Sequence, residues 1–428
     1  MGAHTTAARL TGRGLPTGFL DPAELQAIVH DGLATLDLSN RDVLVLIPDG
    51  TRTIPMPLLF RLLEEELGRR TRRLDYLIAA GTHPPMSDER LSAHVGREVR
   101  GGLAGTHRIF NHQWDDPATF ANLGTISAAE IRQLTGGRLS QDVPVVVNRL
   151  ILDYDHILIC GPVFPHEVAG FSGGGKYFFP GIAGPEIIHF THWLGALVTS
   201  GDIIGTRDTP VRNVIHRAVE MVPRPHSLIS LVTTHEGVAG AWCGETRAAW
   251  AEAAALSSRR HVVWSEQPWN RVLAIMPAMY EDLWTGAKGA YKTEPALADG
   301  GEVVIYAPHI REVSQVHGRM IEEIGYHCRD YFLAQPDRFR GYPGGILAHS
   351  THVKGQGTYD AATGLESPRI QVTLATSIPE SFCRQINLGY LDPASVNPAE
   401  WHERQSDGWL VVPRAGEMLY RVGSPPSL

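Results

Sequence analysis

Residues 42–85, DVLVLIPDGTRTIPMPLLFRLLEEELGRRTRRLDYLIAAGTHPP, decide the fold class. The stretch opens on a continuous apolar, β-branched run (42–48), which reads as a strand buried on both faces. The turn-rich loop DGTRTIP follows. After it comes the amphipathic MPLLFRLLEEELGRR, helical with Pro57 in the first turn, where a missing N–H removes no helix bond. A second strand, 74–80, runs into another polar loop carrying His83. Strand, loop, helix, strand is the βαβ order, and it calls for a parallel sheet clothed by helices.

The alternation continues on both sides. VPVVVNRLILDYDHILICGPVFPH (143–166) supplies two more short strands, the second ending just before His166. SLISLVTTHEGVAGAW (227–242) is strand-like and ETRAAWAEAAALSSRR (245–260) helical. EQPWN (266–270) precedes a new strand, RVLAIMPA, and marks a boundary. DLWTGAKGAYKTEPALADGGEVVIYAP (282–308) reads as a helix running into a strand, and PRIQVTLAT (368–376) as a further strand before PESFCRQIN. The last strand-like piece, AGEMLYRVG (415–423), packs back on one of the two units. The expectation is two α/β domains, 1–268 and 269–428. With 428 residues the chain is too long for one ordinary core.

Composition narrows the partners. A net charge of −8 argues against nucleic acid or an anionic membrane surface. Four scattered cysteines without a Cys-x-x-Cys pair read as reduced thiols of a cytosolic protein. The N-terminal MGAHTTAARLTGRGLPTG has no apolar h-region, and no apolar run reaches the length of a membrane span. A cytoplasmic protein is expected.

DGTR, GTHPP and GPVFPH all follow carboxyl ends of strands, the edge where open α/β sheets bind ligands. Arg52 suits a carboxylate or phosphate, or equally a salt bridge. His83 and His166 occupy equivalent positions. Each alone reads as a loop hydrogen-bonder; together they suit acid–base work on two faces of a substrate. In 165–196, PHEVAGFSGGGKYFFPGIAGPEIIHFTHWLGA, residues 170–176 have P-loop spacing, and Gly173, Gly174 and Gly175 let backbone N–H groups approach an anion or simply make a tight packing turn. Tyr177 stands where a nucleotide hydrolase needs Ser or Thr for Mg²⁺. His189 and His192 share a helix face at i, i+3, with no further ligand nearby to complete a protein-built zinc site. Lys288 lies on the helix expected after 282. AHSTHVKGQG (348–357) reads as a polar turn or a substrate-binding cluster, in a second domain that also holds His309, His317 and His327.

PDGTRTIP, AAGTHPPMSDE, VNRLILDYDHILICGPVFPHEVAGFSGGGKYFFPGI and THWLGA, in this order, resemble the lactate racemase family of nickel-dependent 2-hydroxy acid racemases and epimerases. The resemblance is strong over about 40–200 and looser to about 305. It implies two α/β domains with the active site in the cleft between them, and a nickel-pincer nucleotide, built by separate cofactor-biosynthesis enzymes and attached covalently through Lys176. It further implies that Asp49, Thr51 and the glycines 173–175 contact the cofactor. His192 would complete the nickel coordination, His83 and His166 would act as acid and base, and Arg52, Lys288 and Thr285 would hold the substrate. The family usually has Gln where Thr285 stands, which puts lactate in doubt, and the density of His309, His317, His327, His349 and His352 with Lys354 in the second domain turns the expectation toward a larger or more polar 2-hydroxy acid, an aldonate such as gluconate. A short-chain 2-hydroxy acid is the alternative. A P-loop-like nucleotide enzyme and a non-catalytic cofactor-binding protein are the readings from other classes.

Overall fold

The computed structural model describes residues 10–425; the first nine residues of the segment inspected for a leader lie outside it. Eight strands form the larger sheet, in spatial order 11–14, 237–244, 226–234, 156–162, 42–47, 73–78, 107–111 and 103–104. The five strands from 226–234 to 107–111 run parallel. Antiparallel strands close both edges.

The continuous apolar run of 42–47 has the meaning its composition implies. Leu44 and Leu46 enter the core on one face of the sheet, while Val43, Val45 and Ile47 enter the core on the other. Leu77 and Ile78 divide in the same way. Two cores need two helical layers. One includes helix Met56–Leu67, which buries Met56, Leu59, Phe60, Leu62, Leu63 and Leu67. Helix Pro22–Ala34 begins at a reciprocal cap between Asp21 and Glu24.

Strand 143–148 forms as expected but stands apart from the large sheet, paired antiparallel with 120–126. A second sheet contains five parallel strands, in the order 389–390, 371–376, 297–307, 269–275 and 409–412. The terminal strand 419–422 pairs with 262–265, the segment just before that sheet.

Two expectations are corrected. Residues 283–291 are not one helix but two four-residue turns, Leu283–Gly286 and Lys288–Tyr291. AHSTHVKGQG is not a polar turn: it belongs largely to helix Gly344–Lys354, buried continuously from Gly345 to Val353. That helix crosses helix Pro185–Val198 through its glycines. A Cβ on Gly344 would lie 2.8 Å from the His189 carbonyl oxygen, and one on Gly345 would lie 3.0 Å from His189 Nδ1. The glycines thus let an element of the smaller-sheet unit press against the helix that carries His192. Among the described residues no helix is long and apolar enough to cross a membrane.

Candidate active site

Strands 156–162, 42–47 and 73–78 are neighbours, so the loops after them open at one sheet edge. There they line a cavity with Asp49, Arg52, His83, His166, Lys176 and His192. Thr285, Lys288, His349 and His352 line the same cavity from the side of the smaller sheet.

Asp49 organises the first loop. Its carboxylate accepts from the Thr51 N–H at 3.0 Å, the Thr51 hydroxyl at 2.6 Å and His83 Nδ1 at 2.5 Å. Burial alone would push this carboxyl up, but His83, Arg52 and the Thr51 hydroxyl together hold it well below the usual carboxylate range. An ionised carboxylate only accepts, so Nδ1 of His83 carries the hydrogen, and it is Nε2 that holds the lone pair whenever the ring acts as a base. His166 is wired in the opposite sense. Its Nδ1 accepts the Val168 N–H at 3.1 Å, so the neutral ring carries its hydrogen on Nε2. Burial first, then Lys176, Arg52 and His192, push the His166 imidazole well below its ordinary value and keep it neutral.

The cations have few internal partners. Arg52 donates to the Thr51 carbonyl at 3.2 Å and hydroxyl at 2.6 Å, and no carboxylate among the described residues forms an ion pair with it. Lys288 donates to the Thr285 carbonyl at 3.3 Å and lies over the Tyr280 ring. Burial, with Arg52 adding to it, brings the amines of Lys176 and Lys288 down to about 7. A buried set of positive groups, none of them in an ion pair among the described residues, favours an anionic occupant.

Not every expected residue faces the cavity. Gly173 lines it, whereas a Cβ on Gly174 would meet the Trp250 ring at 2.8 Å and one on Gly175 the Val219 side chain at 2.8 Å. Those two glycines serve packing beneath the loop. Thr51 lies beside an adjoining cavity and reaches the site through Asp49. Thr285 does line the cavity, but its hydroxyl donates to Asp282 Oδ1 at 2.7 Å within its own helical turn. His317 lines the adjoining cavity; His309 and His327 instead face the Tyr280 carbonyl and Glu366. Lys176 sits in a single short turn, 174–177, and not at the head of a long helix, so the strand–loop–helix geometry of a P-loop is missing there.

Sequence reasoning missed Glu167, Trp284 and Tyr291, which also line the cavity. Glu167, and after it Asp49, opposes the lowering at Lys176 and Lys288. Trp284 stacks on His349 with ring centroids 3.9 Å apart. The adjacency of Glu167 to His166 was the available signal for the first; nothing local distinguished the two aromatics from core residues.

Fold and site together define a two-domain α/β protein whose cavity brings imidazoles together with an anion-receptive wall. Residues 23–203 match the lactate racemase N-terminal domain. A lactate racemase of Thermoanaerobacterium thermosaccharolyticum is 23% identical over 294 residues, 67% of this chain and 63% of that protein. One from Lactiplantibacillus plantarum is 25% identical over 196 residues, 45% of this chain and 40% of that protein. The chain therefore spans less than two thirds of either relative. The crystal structure of a Thermotoga maritima protein superposes with a TM-score of 0.87 at 32% identity, covering 94% of this chain and 99% of that one. The lactate racemase apoprotein from T. thermosaccharolyticum shares the fold at a TM-score of 0.70 and 17% identity, over 96% and 94% of the two chains. Residues 23–203 thus carry the lactate racemase N-terminal domain, and the chain as a whole shares the fold of a lactate racemase apoprotein.

Proposed function

We propose that this protein inverts C2 of a 2-hydroxy acid, as a racemase or epimerase using a nickel-pincer nucleotide. The observation that carries the reading is the shared cavity of His83, His166, Lys176, His192 and the two substrate-side cations.

The residues fit the cofactor. Lys176 is a buried amine brought down to about 7, which leaves a large neutral fraction able to form a covalent bond. His192 donates from Nδ1 to the Ile188 carbonyl at 2.7 Å, which leaves Nε2 bare, as in metal-ligating histidines whose other nitrogen is anchored. Burial brings this imidazole down to about 4, so it is neutral and able to ligate. Among the described residues no three His, Cys, Asp or Glu side chains form a metal-ligand cluster, so the remaining ligands would come with the cofactor. When bound, the group would supply a soft-ligated nickel beside a ring carbon that takes a hydride from C2 and returns it.

The chain's own part follows from its wiring. His83 Nε2, backed by Asp49, takes the 2-hydroxyl proton. His166 offers Nε2–H to the C2 oxygen from its side of the cavity as a hydrogen-bond donor; to give that proton up as the acid it must first take one on Nδ1, so that the transfer leaves a neutral ring. To serve as the base in the reverse direction it must shift its hydrogen to Nδ1 and give up the Val168 contact. Arg52 and Lys288 hold the carboxylate and the C2 oxygen while C2 is planar, so the acid stays bound until its configuration is reset.

The favoured substrate is a polyhydroxylated acid, an aldonate such as gluconate. His349 and His352 add imidazoles to the cavity wall, and hydroxyl recognition by polar partners discriminates strongly. A short-chain acid is the second reading, favoured by the relatives named as lactate racemases. Screening the cofactor-matured chain for inversion of lactate, malate, 2-hydroxyglutarate and gluconate tests both. Inversion of gluconate is expected. No inversion of any acid by a chain carrying the Lys176 adduct and nickel would overturn the proposal.

A further inference from the structure

Arg212 is among the largest fully buried side chains of the protein, at 1% exposure. No carboxylate among the described residues forms an ion pair with it. All its side-chain hydrogen bonds go to backbone carbonyls of one short segment: Nε donates to Ala169 at 3.3 Å, Nη1 to Gly173 at 3.2 Å and Nη2 to Phe171. The guanidinium stacks on Trp250, 4.2 Å from the ring centroid, and Trp250 Nε1 donates to the Ser172 carbonyl at 2.9 Å. Four carbonyls from 169 to 173 are therefore fixed from beneath by two side chains. The Gly173 carbonyl also accepts the Lys176 N–H at 3.3 Å, which links the clamp directly to the backbone of the lysine.

A guanidinium buried without an acid is costly unless its donors are satisfied, and its planar fork suits several fixed acceptors better than an ammonium does. A simple packing turn would not require one. We propose that Arg212 is the positioning residue for Lys176: it locks segment 169–173 so that the lysine amine is presented to the cavity in one orientation.

Two observations support this. Gly170 has φ +79° and packs so tightly that a Cβ would lie 1.8 Å from the Thr206 carbonyl oxygen, so the segment has a single available seat. After burial and Arg52, the charge of Arg212 also contributes to lowering the Lys176 amine, with Glu167 opposing. The same group that holds the loop thus favours the neutral, nucleophilic amine.

The inference rests on the reading of Lys176 as the attachment residue, and its test is independent of the cofactor. The unmatured chain is labelled with trinitrobenzenesulfonate at pH 6 and pH 8, and modification of Lys176 is followed by peptide mass. Amide exchange across 169–176 is measured in parallel. Arg212→Met is expected to slow labelling at pH 6 by about tenfold, the effect of a one-unit rise in amine pKa, and to speed exchange in this segment. Arg212→Lys keeps the charge without the fork, so it should restore much of the pH profile while exchange remains fast. If Arg212→Met does not fold, the exchange of Arg212→Lys decides. Wild-type exchange in Arg212→Lys, or wild-type labelling at both pH values in folded Arg212→Met, would overturn the proposal. An absent adduct in the matured wild-type chain would sink the attachment reading while leaving these results standing.

Discussion

Asp49→Asn gives the sharpest test of the acid–base assignment, because it alters one atom of a buried hydrogen-bond set. The Asn oxygen can still accept from the Thr51 N–H and hydroxyl, which now contact Asp49 Oδ1 at 3.0 and 2.6 Å. Its NH₂ then faces His83 Nδ1, where Oδ2 accepts at 2.5 Å in the native protein. Two donors cannot face each other, so His83 must move its hydrogen to Nε2 and lose the lone pair that takes the substrate proton. Loss of a charge-assisted hydrogen bond costs about 1.5–3 kcal/mol, a factor of about 10 to 150 in rate. The same Asp→Asn change behind a serine protease histidine costs about 10⁴ through the wrong tautomer. Turnover should therefore fall by about 10²–10⁴, while the Lys176 adduct and nickel content stay at wild-type levels. The assay is C2 inversion per adduct-bearing chain, with adduct counted by intact mass. A mutant within about threefold of wild type, a loss smaller than one such hydrogen bond, would refute the role of Asp49 and with it the Nε2-base assignment of His83.

Removal of the proposed nickel ligand should separate nickel from attachment: His192→Ala is expected to keep the adduct but lose nickel, and elemental analysis showing full nickel per adduct would contradict the assignment. Gly174→Ala places a Cβ at φ +60° and 2.8 Å from the Trp250 ring. It should cost about 2–4 kcal/mol, read as a lower urea midpoint; an unchanged midpoint would mean the loop has room. His349→Phe keeps the stack on Trp284 but removes the ring nitrogens, so KM should rise more for gluconate than for lactate, and equal changes would remove His349 from hydroxyl recognition. Acid stability follows from buried imidazoles. Burial brings His112, His156, His192, His216, His261, His317 and His352 down to about 4. The unfolded chain then binds more protons between the ordinary value of about 6.5 and about 4. Stability should be retained above that window and fall steeply as pH drops through it; denaturation midpoints flat from pH 6.5 to 4.5 would contradict the burial of these rings as neutral groups.

Much of the first unit was legible because its information is local. A β-branched run that must feed two cores, as Leu44 and Val45 do, looks apolar throughout, and polar loops at the ends of successive parallel strands must share an edge. Helix Gly344–Lys354 was not legible for the opposite reason. It is buried on nearly all sides, so it shows no polar–apolar period, and its histidines, threonine and serine make it read as a turn. Its burial comes from helix Pro185–Val198, a partner more than 140 residues away that no local pattern announces. Trp284 and Tyr291 share this invisibility, since an aromatic that lines a cavity has the same sequence signature as one that fills a core. The glycine loop shows where local reading reaches its limit. Glycine is required for two unrelated reasons, a positive φ and the absence of a Cβ, and a run of three does not say which reason applies to which residue. The fold divides them: Gly173, at φ +76°, borders the cavity, while Gly174 and Gly175 yield their space to Trp250 and Val219. That division gives Trp250 a seat directly under the loop, beside Arg212. The setting of Lys176 therefore depends on packing that the motif spacing alone does not encode.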